Sequence, residues 1–278
     1  MTFTHKAWKD FCRTLEEKGV HSVPVRDILQ GCKATPYLTL KHDVETDVAK
    51  ALAIAEIEQA HGHRGSYYVQ AYLLRDEKNV FILRKMQQMG HEISYHYDVM
   101  DSCKGNLEQA MEEFTDNVAL FESNGFAIQT LCQHGNPVVE RVGYHSNRDF
   151  FRSPEVQQKY PVLADVMVDL KTKANTDYLY FSDAGRRFHL IYDPINNDVV
   201  NSDDKNIACD DLSAVMGQMG EGKNAIISIH PHRWTASVAA YMIRNAVFRT
   251  VKFTAKLLLR LPYMKKLMGR FYYLAKKF

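Results

Sequence analysis

The chain lacks a long apolar run at its start, and this absence argues against secretion. Charged residues interrupt every apolar stretch of residues 1–20 before it reaches the roughly 7–15 residues of a signal-peptide core. The composition, 46% hydrophobic and 24% charged, is typical of a globular protein rather than a disordered or membrane-spanning one. We therefore expect a chain that is not secreted.

Cysteines are few and are not paired. No C-x-x-C spacing occurs among the five, which are Cys12, Cys32, Cys103, Cys132 and Cys209. A disulfide framework and a thiolate zinc site therefore have little support. A reducing cytoplasm is the expected location.

Acidic residues are absent from residues 236–278, which contain ten Lys or Arg and no Asp or Glu, although the whole chain has a net charge of only +2. Basic and apolar residues alternate there at helical spacing on both sides of Pro262. The pattern predicts basic amphipathic C-terminal helices. Their apolar face could lie in an anionic membrane interface or pack on the preceding domain. Nucleic acid is not expected, because no recognition fold accompanies the basic residues.

Short β-branched or aromatic runs alternate with helical stretches from residue 37 onward, which is typical of βα units and a mostly parallel sheet. The predicted strands are residues 37–44, 65–70, 92–97, 128–133, 165–170, 178–182, 189–192 and 225–229, and the predicted helices are residues 47–62, 79–89, 106–124 and 211–219. The length suits one α/β barrel of residues 36–235. An N-terminal helix and linker (1–35) would precede it, and the basic helices (236–278) would follow. The long polar segment 134–161 is interpreted as a substrate loop.

Polar residues stand at the ends of the predicted strands, on the edge that carries the active site in α/β barrels. They are Asp43, His96, His134, Asp183 and His230. One such histidine alone is more often a structural hydrogen-bonding group, but several at separate strand ends favour a common site. Imidazole and carboxylate groups without thiolates suit a divalent metal, Zn²⁺ first, with an open position for water. This combination predicts metal-assisted hydrolysis.

Three motifs carry a family resemblance. LKHDVE (residues 40–45), MGHEISYHYD (89–98) and ISIHPHRW (227–234) resemble the polysaccharide deacetylase family, also called NodB-like carbohydrate esterases. The resemblance is greatest to a branch with HDVD and GHEIGYHYE elements. Counterparts of CQHGNP (132–137) and FSDAGRRF (181–188) are expected in that branch. The resemblance covers roughly residues 37–234 and implies a distorted (β/α)₇ barrel that removes an acetyl group from a sugar.

The resemblance also implies roles for single residues. Asp43 would be the general base, Glu45 and His96 would be metal ligands, and His230 would protonate the leaving group. The family's second ligand histidine would fall at Met100, a poor zinc ligand. His134 is the nearest candidate to replace it.

Asp183 forms a charged group with Arg186 and Arg187 in a glycine-containing loop. Such a group can bind substrate hydroxyls or phosphate, or orient a catalytic histidine, and it can also be a structural ion pair. Asp183 is favoured because it ends a strand.

The sequence thus predicts a metal-dependent deacetylase of bacterial surface glycans. An acetylated sugar or lipid-linked saccharide would be its substrate, and the inner face of the cell membrane is a natural place for it. A glycan-binding barrel that has lost its metal remains open as an alternative, as does hydrolysis of another amide, because a fold fixes the catalytic apparatus better than the substrate.

Overall fold

A computed structural model describes residues 2–32, 36–136, 139–184, 188–191, 207–208, 212–219 and 222–258. Nine strands form one sheet in the described residues. They are β1 (Leu38–Val44), β2 (Gly65–Val69), β3 (Glu92–Tyr97), β4 (Thr130–Gln133), β5 (Ala164–Asp165), β6 (Leu179–Ser182), β7 (His189–Leu190), β8 (Ile207–Ala208) and β9 (Ala225–Ile229).

The strand order is β5-β4-β3-β2-β1-β9-β6-β7-β8. Every pairing from β5 to β6 in this order is parallel, which gives seven parallel strands, and β7 and β8 add an antiparallel edge. The predicted α/β class is confirmed, and the seven parallel strands match the number expected for a (β/α)₇ barrel.

Helices follow most parallel strands and cover the outside of the sheet. They are α1 (His5–Glu17), α2 (Val25–Leu29), α3 (Val48–Ala60), α4 (Glu77–Gln88), α5 (Val99–Ser102), α6 (Leu107–Ser123), α7 (Asp149–Arg152), α8 (Pro154–Lys159), α9 (Leu170–Lys173), α10 (Ser213–Met219) and α11 (Val238–Leu258). Asp47 caps the start of α3 and Asn106 that of α6, since the side chain of each accepts a hydrogen bond from a backbone N–H of the first turn.

The two faces of the sheet bury different side chains. Tyr67, Tyr95 and Tyr97 point outward and pack with apolar residues of the covering helices. The inward-facing residues alternate with them and include Tyr68, Cys132, Tyr180 and Ile226. The Tyr178 hydroxyl, just before β6, donates to the Val166 carbonyl after β5 at 2.7 Å. The sheet therefore curls around this interior, with its two sides joined there.

The N-terminal segment packs closely on the barrel. Trp8 is fully buried and donates from Nε1 to Oε1 of Glu58, a buried carboxylate on α3, at 3.1 Å. Phe3 stacks on Trp234, and the backbone of Thr235 hydrogen-bonds to residues 3 and 5. Residues at both ends of the barrel sequence are thus held together.

Between residues 134 and 170, the structure corrects one predicted strand and adds two short helices to the predicted loop. The strand predicted at residues 165–170 is wrong beyond Asp165, since a turn follows and α9 begins at Leu170. The polar segment 134–161 contains the short helices α7 and α8, anchored by the buried rings of Phe150 and Phe151.

Helix α11 occupies the first part of the predicted basic appendage. No helix among the described residues is long and apolar enough to cross a membrane. The predicted second helical segment, residues 262–278, lies outside the described part of the chain.

Candidate metal centre

The carboxyl ends of the parallel strands bring five predicted site residues together. Asp43 lies next to the last residue of β1 and Glu45 just beyond the strand, His96 lies near the end of β3, His134 follows β4, and His230 follows β9. All five are buried. Since parallel strands present their carboxyl ends at one edge, residues far apart in sequence share one site.

Three donor atoms face one another at the centre of this group. Nε2 of His96 lies 3.2 Å from Nδ1 of His134, and that Nδ1 lies 3.2 Å from Oε1 of Glu45. All three residues can offer an atom within 4.8 Å of the others. Ligands in a tetrahedron around zinc, with bonds of about 2.0–2.2 Å, are about 3.3–3.6 Å apart. The observed spacing is close to what such an ion requires.

The ring of His96 is fixed in the orientation that a metal ligand needs. Its Nδ1 donates to the backbone carbonyl of Cys132 at 3.0 Å, which leaves the lone pair on Nε2. Burial lowers the pKa of His96 to about 3, so the ring is neutral at physiological pH. A second hydrogen bond that sets the tautomer in this way is typical of ligating histidines.

His134 is held by the loop that follows β4. Its backbone N–H donates to the Tyr97 carbonyl at 2.7 Å, and its carbonyl accepts from Nδ2 of Asn147 at 2.8 Å. Asn147 also binds Asp101 at 2.9 Å, and the Arg141 guanidinium binds both oxygens of Asp101 at 2.8 Å. The predicted substrate loop therefore also positions a donor atom of the site.

Glu45 is ionised in this setting. Burial alone would raise its pKa, but the neighbouring imidazoles of His134, His230 and His232 outweigh burial and hold the pKa well below its usual range. A carboxylate, rather than a carboxylic acid, therefore faces the two histidines.

Asp43 is paired with a lysine that the sequence prediction did not include. Nζ of the fully buried Lys41 lies 2.5 Å from Oδ1 of Asp43 and donates to Ser228 at 3.2 Å. Burial would raise the pKa of Asp43, but Lys41 first, and then His96 and His230, lower it. Residues two apart in a strand share a face, so the KHD sequence could have placed Lys41 beside Asp43.

His230 faces the same group from β9 and is backed by Asp183. Its Nε2 lies 3.8 Å from Oδ2 of Asp43 and 3.7 Å from Oε1 of Glu45. Its Nδ1 lies 2.6 Å from Oδ1 of Asp183. Asp183 is fully buried and also accepts from Arg233 and Trp234. Of the roles considered for Asp183, this geometry matches orientation of His230 rather than contact with substrate.

The remaining candidates lie elsewhere or cannot be placed. Arg186 and Arg187 fall outside the described residues. Met100 is buried in the apolar cluster outside the sheet, so it offers nothing to the site. His42, as the alternation of strand side chains predicts, points to the outer face, 2.8 Å from Glu58.

These residues fit a divalent metal ion. His96, His134 and Glu45 supply two imidazole nitrogens and one carboxylate oxygen, a donor set that zinc accepts in catalytic sites with an open position. Asp43 and His230 stand next to the donors without belonging to the trio. The site therefore combines three candidate ligands with one acidic and one basic group.

Comparisons with known proteins give similarities in structure alone. No protein-family profile and no curated protein matches the chain. A family 4 carbohydrate esterase from Streptomyces lividans, solved with acetate, is 15% identical over 71% of this chain and 81% of that chain, with a TM-score of 0.42. A pseudoenzyme of the same family from Bacillus anthracis is 11% identical over 76% of this chain and 59% of that chain (TM-score 0.42). A peptidoglycan deacetylase from Bacillus subtilis is 10% identical over 81% and 96% (TM-score 0.38).

Solved carbohydrate esterases and peptidoglycan deacetylases thus resemble this chain in structure, and its sequence motifs resemble the same group of enzymes. All three TM-scores are below 0.5, so the functional proposal rests on the side chains described above.

Proposed function

We propose that this chain is a metal-dependent carbohydrate deacetylase. One observation carries the proposal: the donor atoms of His96, His134 and Glu45 converge at the strand ends beside an ionised Asp43 and an Asp183-bound His230. Ligands, base and acid are the components that metal-assisted hydrolysis of an acyl bond requires.

His96, His134 and Glu45 would hold the ion, with His134 in place of the ligand that Met100 cannot supply. A bound divalent metal, Zn²⁺ first, would acidify a water molecule and polarise the acyl oxygen. The members of the trio come from three different strand ends, and a set of three protein ligands leaves one coordination position open for water or substrate.

Asp43 would act as the general base. Lys41 keeps Asp43 ionised and engages Oδ1, so Oδ2, the oxygen nearer His230, is available to accept a proton from the attacking water. A buried carboxylate without such a partner would tend to be protonated and could not serve as a base.

His230 would protonate the leaving nitrogen or oxygen from Nε2. Asp183 accepts the Nδ1 proton, which directs Nε2 toward Asp43 and stabilises the imidazolium form that protonates the leaving group. In the Asp–His pair of other hydrolases, the aspartate likewise orients the imidazole and stabilises its protonated form.

The substrate class follows from the motif resemblance. We propose an acetylated sugar of a bacterial surface glycan, such as a capsule, O-antigen or lipid-linked saccharide precursor, processed in the cytoplasm. The non-catalytic alternative, a glycan-binding barrel, becomes the conclusion if the site binds no metal.

The test is metal content by elemental analysis of the folded wild type, His96→Ala and His134→Ala after zinc supplementation. We expect about one metal per wild-type chain and none in the two variants. His145→Ala is the matched control, because the His145 side chain is 85% exposed. Asp43→Asn and His230→Ala should keep the metal but lose hydrolysis of acetylated sugars. A wild type that binds no metal would overturn the proposal.

A further inference from the structure

Helix α11 exposes several large apolar side chains, which is unusual for a helix surface that contacts only water. Four large apolar side chains are exposed on it: Val238 (51%), Met242 (66%), Ile243 (65%) and Val247 (42%). Ala239 and Ala246 are exposed beside them. Successive residues of an α-helix are about 100° apart, so these six lie on one half of the circumference. We call this surface the α11 apolar face.

The opposite side of the helix is fixed on the protein. Tyr241 packs against Phe3, with ring centroids 6.2 Å apart, and Nη1 of Arg244 donates to the His232 carbonyl at 2.8 Å. The packed side therefore holds an aromatic ring and a guanidinium group, while the residues of the α11 apolar face point away from the barrel. The helix is thus apolar beyond the side that the barrel covers, unlike a helix with a single apolar stripe.

The charge of this region narrows the choice of partner. Residues 236–278 carry ten Lys or Arg and no acidic residue, and Arg249 is exposed on the same half of the helix as the α11 apolar face. A second copy of the chain would bring the same excess positive charge to the contact, and residues 259–278 contain no acidic residue either. An anionic lipid surface offers both apolar chains and the opposite charge.

We propose that the α11 apolar face lies in the interface of an anionic membrane, with α11 parallel to the membrane surface. Its apolar side chains would enter the boundary between headgroups and acyl chains. Basic residues of the same segment would be attracted to the anionic headgroups, by an interaction that salt screens.

Helix α11 starts close to the candidate metal centre, so its docking on a membrane would affect which substrates can reach the site. Arg244 binds the carbonyl of His232, two residues after His230, so the first turns of α11 lie at the edge of the barrel that carries the candidate metal centre. A docked α11 would hold that edge close to the lipid surface. This step, which rests on the proposed function, favours a lipid-linked acetylated saccharide over a free sugar.

The experiment is liposome flotation of the full chain with vesicles of phosphatidylcholine alone or mixed with phosphatidylglycerol. We expect the wild type to float with the anionic vesicles, and flotation to weaken at high salt. Met242→Asp/Ile243→Asp should reduce binding by about tenfold or more, because it places two charges in the apolar interface. Phe81→Asp/Val162→Asp is the matched control, since both residues are highly exposed (73% and 78%) and lie outside α11, and it should still float.

Several outcomes would overturn the proposal. Absence of flotation with anionic vesicles would do so, as would equal flotation of the α11 variant. A wild-type dimer that becomes monomeric in the variant, by light scattering, would assign the face to a second copy. Flotation only after deletion of residues 259–278 would show that the chain covers its own helix. Flotation requires no metal or turnover, so these outcomes are independent of the test of catalysis.

Discussion

The buried pair of Lys41 and Asp43 allows a quantitative test of the site's electrostatics. Lys41→Met removes the charge of a fully buried side chain while retaining much of its volume. Asp43 then loses its closest partner, so it is destabilised as a buried anion and tends to take up a proton. We expect a large loss of stability even though the substituted residue is more apolar.

The magnitude follows from the distance. Opposite charges 2.5 Å apart attract by about 7 kcal/mol at an effective dielectric constant of about 20. In the wild type, part of this attraction offsets the free-energy cost of burying the ammonium group. The variant has no ammonium group and so avoids this cost, which makes the net loss of stability smaller than the attraction itself. Removing one partner of a buried ion pair costs about 3–5 kcal/mol in general, and we expect Lys41→Met to fall in that range.

The assay is urea denaturation with a chelator present, so that metal binding does not contribute. Lys41→Met/Asp43→Leu should recover most of the loss, because it removes the unpaired carboxyl group as well. Lys85→Met is the control: its pair with Glu56 is half exposed and should matter by less than about 1 kcal/mol. A loss in Lys41→Met no larger than in this control, or no recovery in the double variant, would refute the reasoning.

Three further predictions concern other buried groups. Asp183→Asn should lower kcat by about 10²–10⁴ while metal content stays unchanged, because His230 loses the acceptor that orients it; an unchanged kcat would remove Asp183 from the mechanism. Burial and Asp169 raise the pKa of Asp165 to about 6, above the unfolded value of about 3.9. Its contribution to stability is therefore present in full below about pH 4 and lost as pH rises through about 6. Urea midpoints should show this decline in the wild type but not in Asp165→Asn, and parallel profiles would contradict it. Trp8→Ala should cost about 3–5 kcal/mol, since it leaves a cavity and removes a donor from Glu58; a small change in the urea midpoint would show that α1 is dispensable.

Most of the parallel sheet could be predicted from the sequence because its strands are short apolar runs bounded by clear stop signals. The predicted bounds of β3 and β9 agree with the structure at both ends. Gly62, Gly90 and Gly125, which follow the ends of α3, α4 and α6, adopt positive φ, which glycine permits without steric cost. The strand ends then indicated which polar residues would meet.

The error at β5 has a local cause. Val166, Val168 and Leu170 alternate with other residues as in a strand, but polar side chains end the strand early. The Asp165 carboxylate accepts from the Met167 N–H at 2.7 Å, and the Asp169 carboxylate accepts from the Asp165 N–H at 2.7 Å. Such short-range bonds from aspartate to the backbone compete with strand pairing.

The role of Lys41 was missed for a different reason. Lysine is almost never fully buried unless it is paired, so a lysine in a predicted strand suggests an exposed edge. The alternation of strand side chains puts Lys41 on the inward face with Asp43, but only the distance to Asp43 and the contact with Ser228 show that this face accommodates a buried ammonium group. Sequence periodicity places two residues on one face but does not tell which charges a barrel interior will tolerate.

The place of β1 in the sheet also bears on how the protein folds. One edge of β1 pairs with β2, about 25 residues away, but the other pairs with β9, so that Leu38 meets Ala225. During synthesis, the strand that carries Asp43 can pair on this side only after nearly 190 further residues have been made, as the Tyr37–Asn224 hydrogen bond with its separation of 187 residues illustrates. Contacts this remote in sequence slow folding and leave a strand edge unpaired in the interim. Overexpression at high rates should therefore favour aggregation through β1, and slower synthesis at low temperature should improve the yield of folded protein.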